Sequence, residues 1–224
     1  KTRVNIHWIH SSELEGENVS EQLSKMDGII VAPGFGSRAV EGKISAVKFA
    51  RENHIPFLGI CLGMQCAVIE FARNVIGFKE AHSTEINSDT PYPVISMIEE
   101  QKQLKNLGGT MRLGAYDCHV EKDSLLHKIY VNDVISERHR HRYEFNNKYV
   151  KDFEENGIVF SGKNKANNLM ETIEIPDHPW FIGVQYHPEY KSRVENPHPL
   201  FINFVKAALT YQRNSVDSLT TINS

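Results

Sequence analysis

The chain has 224 residues, 40% of them hydrophobic and 24% charged, which is ordinary for a globular protein and enough for a core that needs neither disulfides nor metal. Its 25 basic and 28 acidic residues leave a formal charge of −3, so no global field favours nucleic acid or an anionic membrane. No apolar run approaches the ~18–20 residues that span a bilayer and no signal-peptide pattern is present, while the three cysteines, Cys61, Cys66 and Cys118, suit a reducing cytoplasm rather than disulfides.

In chain order, the alternation of Val4-Asn5-Ile6-His7-Trp8-Ile9 predicts a strand, and the polar stretch Ser11 to Lys25 predicts a loop and a short helix. Asp27 to Val31 reads as a short buried strand stopped by Ala32-Pro33-Gly34-Phe35-Gly36. Ile44, Val47, Phe49 and Ala50 fall at helical spacing between Val40 and Asn53. Pro56 to Ile60 is an apolar strand feeding a helix from Leu62 to Arg73. Strands alternating with helices imply an α/β fold, a mostly parallel central sheet flanked by helices. Residues Ser83 to Gly109, rich in Pro, Asn, Asp and charge, predict an insertion on the sheet's edge.

Strands return at Met111 to Leu113, Ile158 to Phe160, Met170 to Ile175 and Trp180 to Gln185. Leu200 to Tyr211 predicts a closing helix, and residues 213–224 a disordered tail. Residues 1–212 therefore read as one domain. Lys1 stands almost directly on a strand, where a doubly wound domain opens with a strand and a helix. The expectation is a piece of a longer protein, lacking its first strand and helix.

Gly59-Ile60-Cys61-Leu62-Gly63 sets a cysteine between glycines where a strand meets a helix. This is the pattern of a nucleophile elbow: a sharp turn presents the side chain, and the glycines permit close backbone approach. The helix N-terminus favours thiolate, and the Leu62 N–H can stabilise an oxyanion. A buried cysteine beside a packing glycine would give the same five residues. Cys66, one turn into the helix, and Cys118, on a strand, read as small buried hydrophobes.

Gln185-Tyr186-His187-Pro188-Glu189 ends an apolar strand, at the sheet edge where ligands of open parallel sheets gather. Glu189 two residues beyond His187 can hold the imidazole's orientation and tautomer. Alone the triplet would suit a surface turn; beside the cysteine elbow it becomes specific.

Together these residues resemble the class I glutamine amidotransferases, and within them the amidotransferase domains of the CTP synthase family. The resemblance rests on Gly59 to Gln65, Ser83-Thr84-Glu85, Gly108-Gly109-Thr110-Met111-Arg112-Leu113-Gly114 and Glu137-Arg138-His139-Arg140-His141-Arg142-Tyr143-Glu144. It runs from about Val4 to about Tyr211. It implies Cys61 as nucleophile, His187 as general acid/base and Glu189 as its partner. Gly34 and Leu62 would supply the oxyanion N–H groups. Glutamine would be held by Gly34, Leu62, Gly63, Met64, Gln65, Glu85, Arg142 and Tyr143. One departure is Pro33, which stands where the family often has glycine and alters the turn before Gly34. A free amino acid carries an ammonium and a carboxylate, so Glu85 and Arg142 are a fitting pair, arginine being suited to a bidentate grip.

The resemblance also implies what lies outside the chain: an N-terminal synthetase domain using ATP and Mg²⁺, UTP amination by ammonia, GTP as allosteric activator and a homotetramer. No cofactor or metal is expected in this part, and no phosphate-binding Gly-rich loop ending in Lys-Ser or Lys-Thr occurs. Arg112 is a candidate for coupling to the activating nucleotide; its alternative is a strand arginine in a salt bridge. In the run Arg138 to Arg142, strand alternation would turn arginines one way and histidines the other. Another amidotransferase, a γ-glutamyl hydrolase on the same fold, and a non-catalytic assembly module are the rival readings.

Overall fold

The computed structural model describes residues 2–14, 16, 18–36, 39–97 and 111–222. Gly108, Gly109 and Thr110 lie outside the described residues. Ten strands and six helices are built in the described part: β1 (Ile29–Val31), β2 (Phe57–Ile60), β3 (His82–Ser83), β4 (Pro93–Met97), β5 (Arg112–Val120), β6 (Val134–His141), β7 (Tyr143–Phe145), β8 (Val159–Asn164), β9 (Leu169–Glu174) and β10 (Phe181–Val184). The helices are α1 (Val19–Leu23), α2 (Val40–Glu52), α3 (Leu62–Phe71), α4 (Leu125–Tyr130), α5 (Val150–Glu155) and α6 (Pro199–Ile222).

Seven strands form one sheet in the order β1-β2-β10-β9-β8-β5-β6. Parallel pairing is concentrated at β1–β2 and β2–β10. The four pairings beyond β10 are antiparallel. Strands β2 and β10 are buried at every position, which is why they read as continuous apolar runs rather than alternating ones. Phe57 and Phe181 face the core shared with α2 and α3, while Leu58, Ile60, Ile182 and Val184 face the core under α4 and α6. Each such side chain contributes on the order of 1.5–3 kcal/mol by leaving water. The α/β class with helices on both faces is as the sequence implies.

Three expectations change. Val4 to Ile9 is not a strand: it has no ladder partner, and Val4, Ile6 and Trp8 are exposed. Alternation alone cannot make a strand without a neighbouring edge to bond. Of the stretch expected as an edge insertion, residues 98–109 lie outside the described residues, and the part up to Met97 does not join the main sheet, because β3 and β4 form with β7 a second sheet of three strands. Its β7 follows directly on β6, and so the small sheet is tied to the large one at Arg142. Finally, helical backbone continues past Tyr211 to Ile222, through residues expected as a tail. Within this stretch the Ser215 hydroxyl donates back to the Tyr211 carbonyl at 3.0 Å, which satisfies the side chain inside the helix.

Candidate active site

Cys61 occupies the turn between β2 and α3 with φ 52° and ψ −104°, a conformation that L residues rarely hold. Two glycines make it possible. A Cβ on Gly63 would meet the Val31 carbonyl oxygen at 2.1 Å, and one on Gly59 would meet Gly63 backbone at 2.8 Å. Strand β1, strand β2 and the first turn of α3 are thus packed backbone to backbone, and any side chain would force them apart. The Cys61 N–H is satisfied by the Val184 carbonyl on β10 at 2.8 Å. Helix α3 is buried at all ten positions, so the elbow rests on an element held from every side.

The sulfur itself is hidden, with Cys61 only 5% exposed. Burial pushes the thiol up to about 12; a hydrogen bond from the Leu62 N–H opposes this, and the carboxylates of Glu189, Glu144 and Glu85 add to it. The helix N-terminus was expected to favour thiolate, but burial outweighs it, so a thiol here would attack only after handing its proton to a base. Cys66 and Cys118 are fully buried and unpaired, as expected of small core residues.

That base is at hand. His187 follows β10, and β10 pairs with β2 in the register Ile60 to Val184, so the residues after both strands emerge at the same sheet edge. The His187 Nδ1 donates to Glu189 Oε1 at 2.6 Å. Because a carboxylate only accepts, Nδ1 carries the hydrogen and Nε2 is left as the basic nitrogen. That Nε2 is buried and has no partner among the described residues. Tyr190 stacks on the imidazole with centroids 4.7 Å apart and planes 9° from parallel. The His187 N–H bonds the Arg138 carbonyl at 2.8 Å, anchoring the turn to β6.

Cys61, His187 and Glu189 open into one cavity of about 580 Å³, lined also by Gly34, Gln65, Glu85, Arg142 and Tyr143. Of the residues expected to hold glutamine, these five line the space. Leu62, Gly63 and Met64 do not: Met64 is packed in the core, 1% exposed, and Leu62 and Gly63 can contribute only backbone. Gly34 lies against Leu62, its Cβ position 3.3 Å from Leu62 Cδ2, and Lys43 Nζ braces the same loop by bonding the Ala32 carbonyl at 3.0 Å. Glu85 and Arg142 put opposite charges on the cavity wall, and the Arg142 Nε is buried without a partner among the described residues.

Arg112 does not reach the cavity. It is 4% exposed and forked between Glu171, at 2.7 Å, and Glu144, at 3.0 Å, with its guanidinium 4.4 Å from the Tyr116 ring. The salt bridge named as its alternative is present, made through both terminal nitrogens, while the Nε is buried without a hydrogen-bond partner among the described residues. The alternation expected in the basic run holds: Arg138 and Arg140 are exposed, His139 and His141 buried. Among the described residues no group of three or more His, Cys, Asp or Glu is placed to hold a metal ion, and no helix is long and apolar enough to cross a membrane. Sequence reasoning missed Tyr190 and Gln185. Gln185 directly follows β10, two residues before His187, and that closeness to the His-Pro-Glu segment was the available signal.

Comparison with known proteins agrees with this geometry. The family model described as glutamine amidotransferase class-I matches residues 1–207. A CTP synthase of Cytophaga hutchinsonii is 61% identical over 206 residues, which is 92% of this chain and 38% of that protein. A CTP synthase of Flavobacterium johnsoniae is 56% identical over 209 residues, 93% of this chain and 39% of that one. The chain thus spans about two fifths of the length of these curated relatives. Among solved structures, the glutaminase domain of Trypanosoma brucei CTPS with bound acivicin superposes with a TM-score of 0.88 at 39% identity, covering 93% of this chain and 82% of that one.

Proposed function

The chain belongs to the class I glutamine amidotransferase family, and from that premise we propose that it releases ammonia from glutamine through Cys61, His187 and Glu189. The observation that carries the reading is the His187–Glu189 pair, which leaves Nε2 without a partner among the described residues, on the wall of the cavity that Cys61 also lines. Glutamine enters with its α-ammonium toward Glu85 and its α-carboxylate toward Arg142. The Cys61 sulfur attacks the side-chain carbonyl carbon while its proton passes to His187 Nε2. The carbonyl oxygen becomes an oxyanion held by the N–H groups of Gly34 and Leu62, a single such donor being worth ~3–4 kcal/mol. The C–N bond breaks as His187 returns the proton to nitrogen, giving ammonia and a glutamyl thioester. His187 then takes a proton from water, the hydroxide adds to the thioester, and the C–S bond breaks to release glutamate and restore the thiol.

The relatives' name and their greater length support a wider reading for the whole protein. There, ammonia would pass to a synthetase domain that uses ATP and Mg²⁺ to aminate UTP to CTP, within a cytoplasmic homotetramer activated by GTP. Three unpaired cysteines fit such a compartment.

The test is glutamate release from glutamine by the purified chain, with Cys61→Ala and His187→Ala beside it. Both variants should fall to background, and glutamate release surviving in Cys61→Ala would refute the mechanism. Acivicin, bound by the trypanosomal relative, should suppress the activity. Formation of CTP from UTP, ATP and glutamine by this chain alone would overturn the assignment of amination to another domain.

A further inference from the structure

Strands β2 and β10 run side by side, and the residue after each is polar: Cys61 after Ile60, Gln185 after Val184. Gln185 is wholly buried, a costly place for a carboxamide unless both of its ends are bonded. Its Nε2 approaches the Cys61 sulfur at 3.7 Å, within the range for a bond to sulfur, and its Oε1 accepts from Gln65 Nε2 at 3.2 Å. Gln65 Nε2 also donates to the Tyr143 carbonyl at 2.9 Å.

The direction of this chain is fixed by its far end. A backbone carbonyl can only accept, so Gln65 must present nitrogen to Tyr143 and to Gln185. Gln185 must then answer with oxygen, which leaves its NH₂ facing the sulfur. The usual ambiguity of an amide's orientation is removed by the network. The Gln185 N–H adds rigidity from the other side, bonding the Glu171 carbonyl at 2.8 Å.

We propose that Gln185 is a further catalytic residue, a fixed N–H donor that holds the Cys61 sulfur as an anion during attack and on release of the acyl group. Gln65 is a positioning residue acting through it, linking the Tyr143 wall of the glutamine pocket to the nucleophile. A donor is needed at this spot because the sulfur's surroundings are otherwise unfavourable to charge: burial and the carboxylates of Glu189, Glu144 and Glu85 all oppose the anion, and only the Leu62 N–H offsets them. Gln185 supplies a second neutral donor without adding charge to a buried site.

The proposal rests on Cys61 as nucleophile, and the experiment separates the two claims. The rate of Cys61 alkylation by iodoacetamide, in which the thiolate displaces iodide, would be followed against pH by peptide mass in the unmodified chain, Gln185→Glu and Gln185→Met. Below the midpoint, each unit by which the profile moves up cuts the thiolate, and hence the rate, tenfold. Both variants should lose about tenfold in rate near neutral pH relative to the unmodified chain, the carboxylate of Gln185→Glu losing the more because it cannot donate and repels the anion. Profiles that coincide with the unmodified chain would overturn the role of Gln185 while leaving Cys61 in place; absence of Cys61 alkylation in the unmodified chain would sink the nucleophile itself. Should both variants fail to fold, the Gln185 side-chain amide resonance of the unmodified chain decides: it should move as Cys61 titrates, and a resonance blind to that titration refutes the contact.

Discussion

The two halves of the main sheet solve different problems by different means. Around β1, β2 and β10 the chemistry is placed by backbone shape: glycines at 59 and 63, a strained Cys61, and a helix buried on every side. Across β9, β5 and β6 the interior is instead charged. Arg112 lies between Glu171 and Glu144, His139 Nδ1 meets His141 Nε2 at 3.0 Å, and His141 reaches the Tyr143 carbonyl at 3.2 Å. Burial pushes both carboxylates up even with Arg112 beside them, since one guanidinium must answer two acids. Cys61 is thus fixed by sterics, which tolerate no change, and the pocket wall by electrostatics, which tolerate graded change.

Breaking the steric half should produce the largest effect. Gly63→Ala forces a methyl against the Val31 carbonyl and should cost about 3 kcal/mol or more. The elbow would shift in any molecules that fold, and a displacement of ~1 Å at the reacting atom is worth about 100-fold in glutamate release. Urea unfolding and an initial-rate assay check both, and near-normal activity would show that the close approach is dispensable.

Arg112→Met attacks the other half. Removing the guanidinium bonded to both Glu144 and Glu171 should cost about 3 kcal/mol, because a buried charge left alone is worse than a pair replaced whole. Calorimetry would show the loss, and the folded fraction should still alkylate at Cys61, since backbone shape sets that residue. Equal loss of Cys61 labelling and stability would erase the distinction between the halves.

A third test reads the electrostatic half through pH. Burial, and then Arg112, push His141 down to about 3, so the folded chain holds the imidazole neutral while the unfolded chain takes up a proton near pH 6.5. The stability this gives is whole above about pH 6.5 and is lost as pH falls from there toward 3, by up to ~1.4 kcal/mol per pH unit. The stability gap between the unmodified chain and His141→Gln should therefore narrow on acidification across that window. A gap independent of pH would mean that His141 is not held neutral.

The smallest effect should come from Trp8→Ser. Trp8 is 88% exposed, and unfolding midpoints should agree to within about 0.5 kcal/mol. Trp8 belongs to a segment that the hydrophobic pattern marks as a strand, and that pattern misleads because periodicity records which faces differ, not whether a neighbouring edge exists. The elbow was legible for the opposite reason. Glycine, cysteine and glycine around a strand end have few other uses once a His-x-Glu turn accompanies them, and β2 and β10 bring the two motifs to one edge.

Residues whose role depends on distant partners were less legible. Arg112 could be read from its neighbours in sequence as a nucleotide contact, yet its partners, Glu144 and Glu171, lie 32 and 59 positions away. Gln185 had no role assigned from the sequence, because only the pairing of β2 with β10 brings it to within 3.7 Å of the sulfur. Glu85 and Arg142, by contrast, both line the cavity, as their opposite charges suggested.

The most direct measurement is the site of covalent capture by a glutamine-like electrophile, mapped by peptide mass among Cys61, Cys66 and Cys118. The account predicts one adduct, on Cys61, whose formation slows sharply in His187→Ala. An adduct on Cys66 or Cys118, or capture at Cys61 indifferent to the loss of His187, would contradict it.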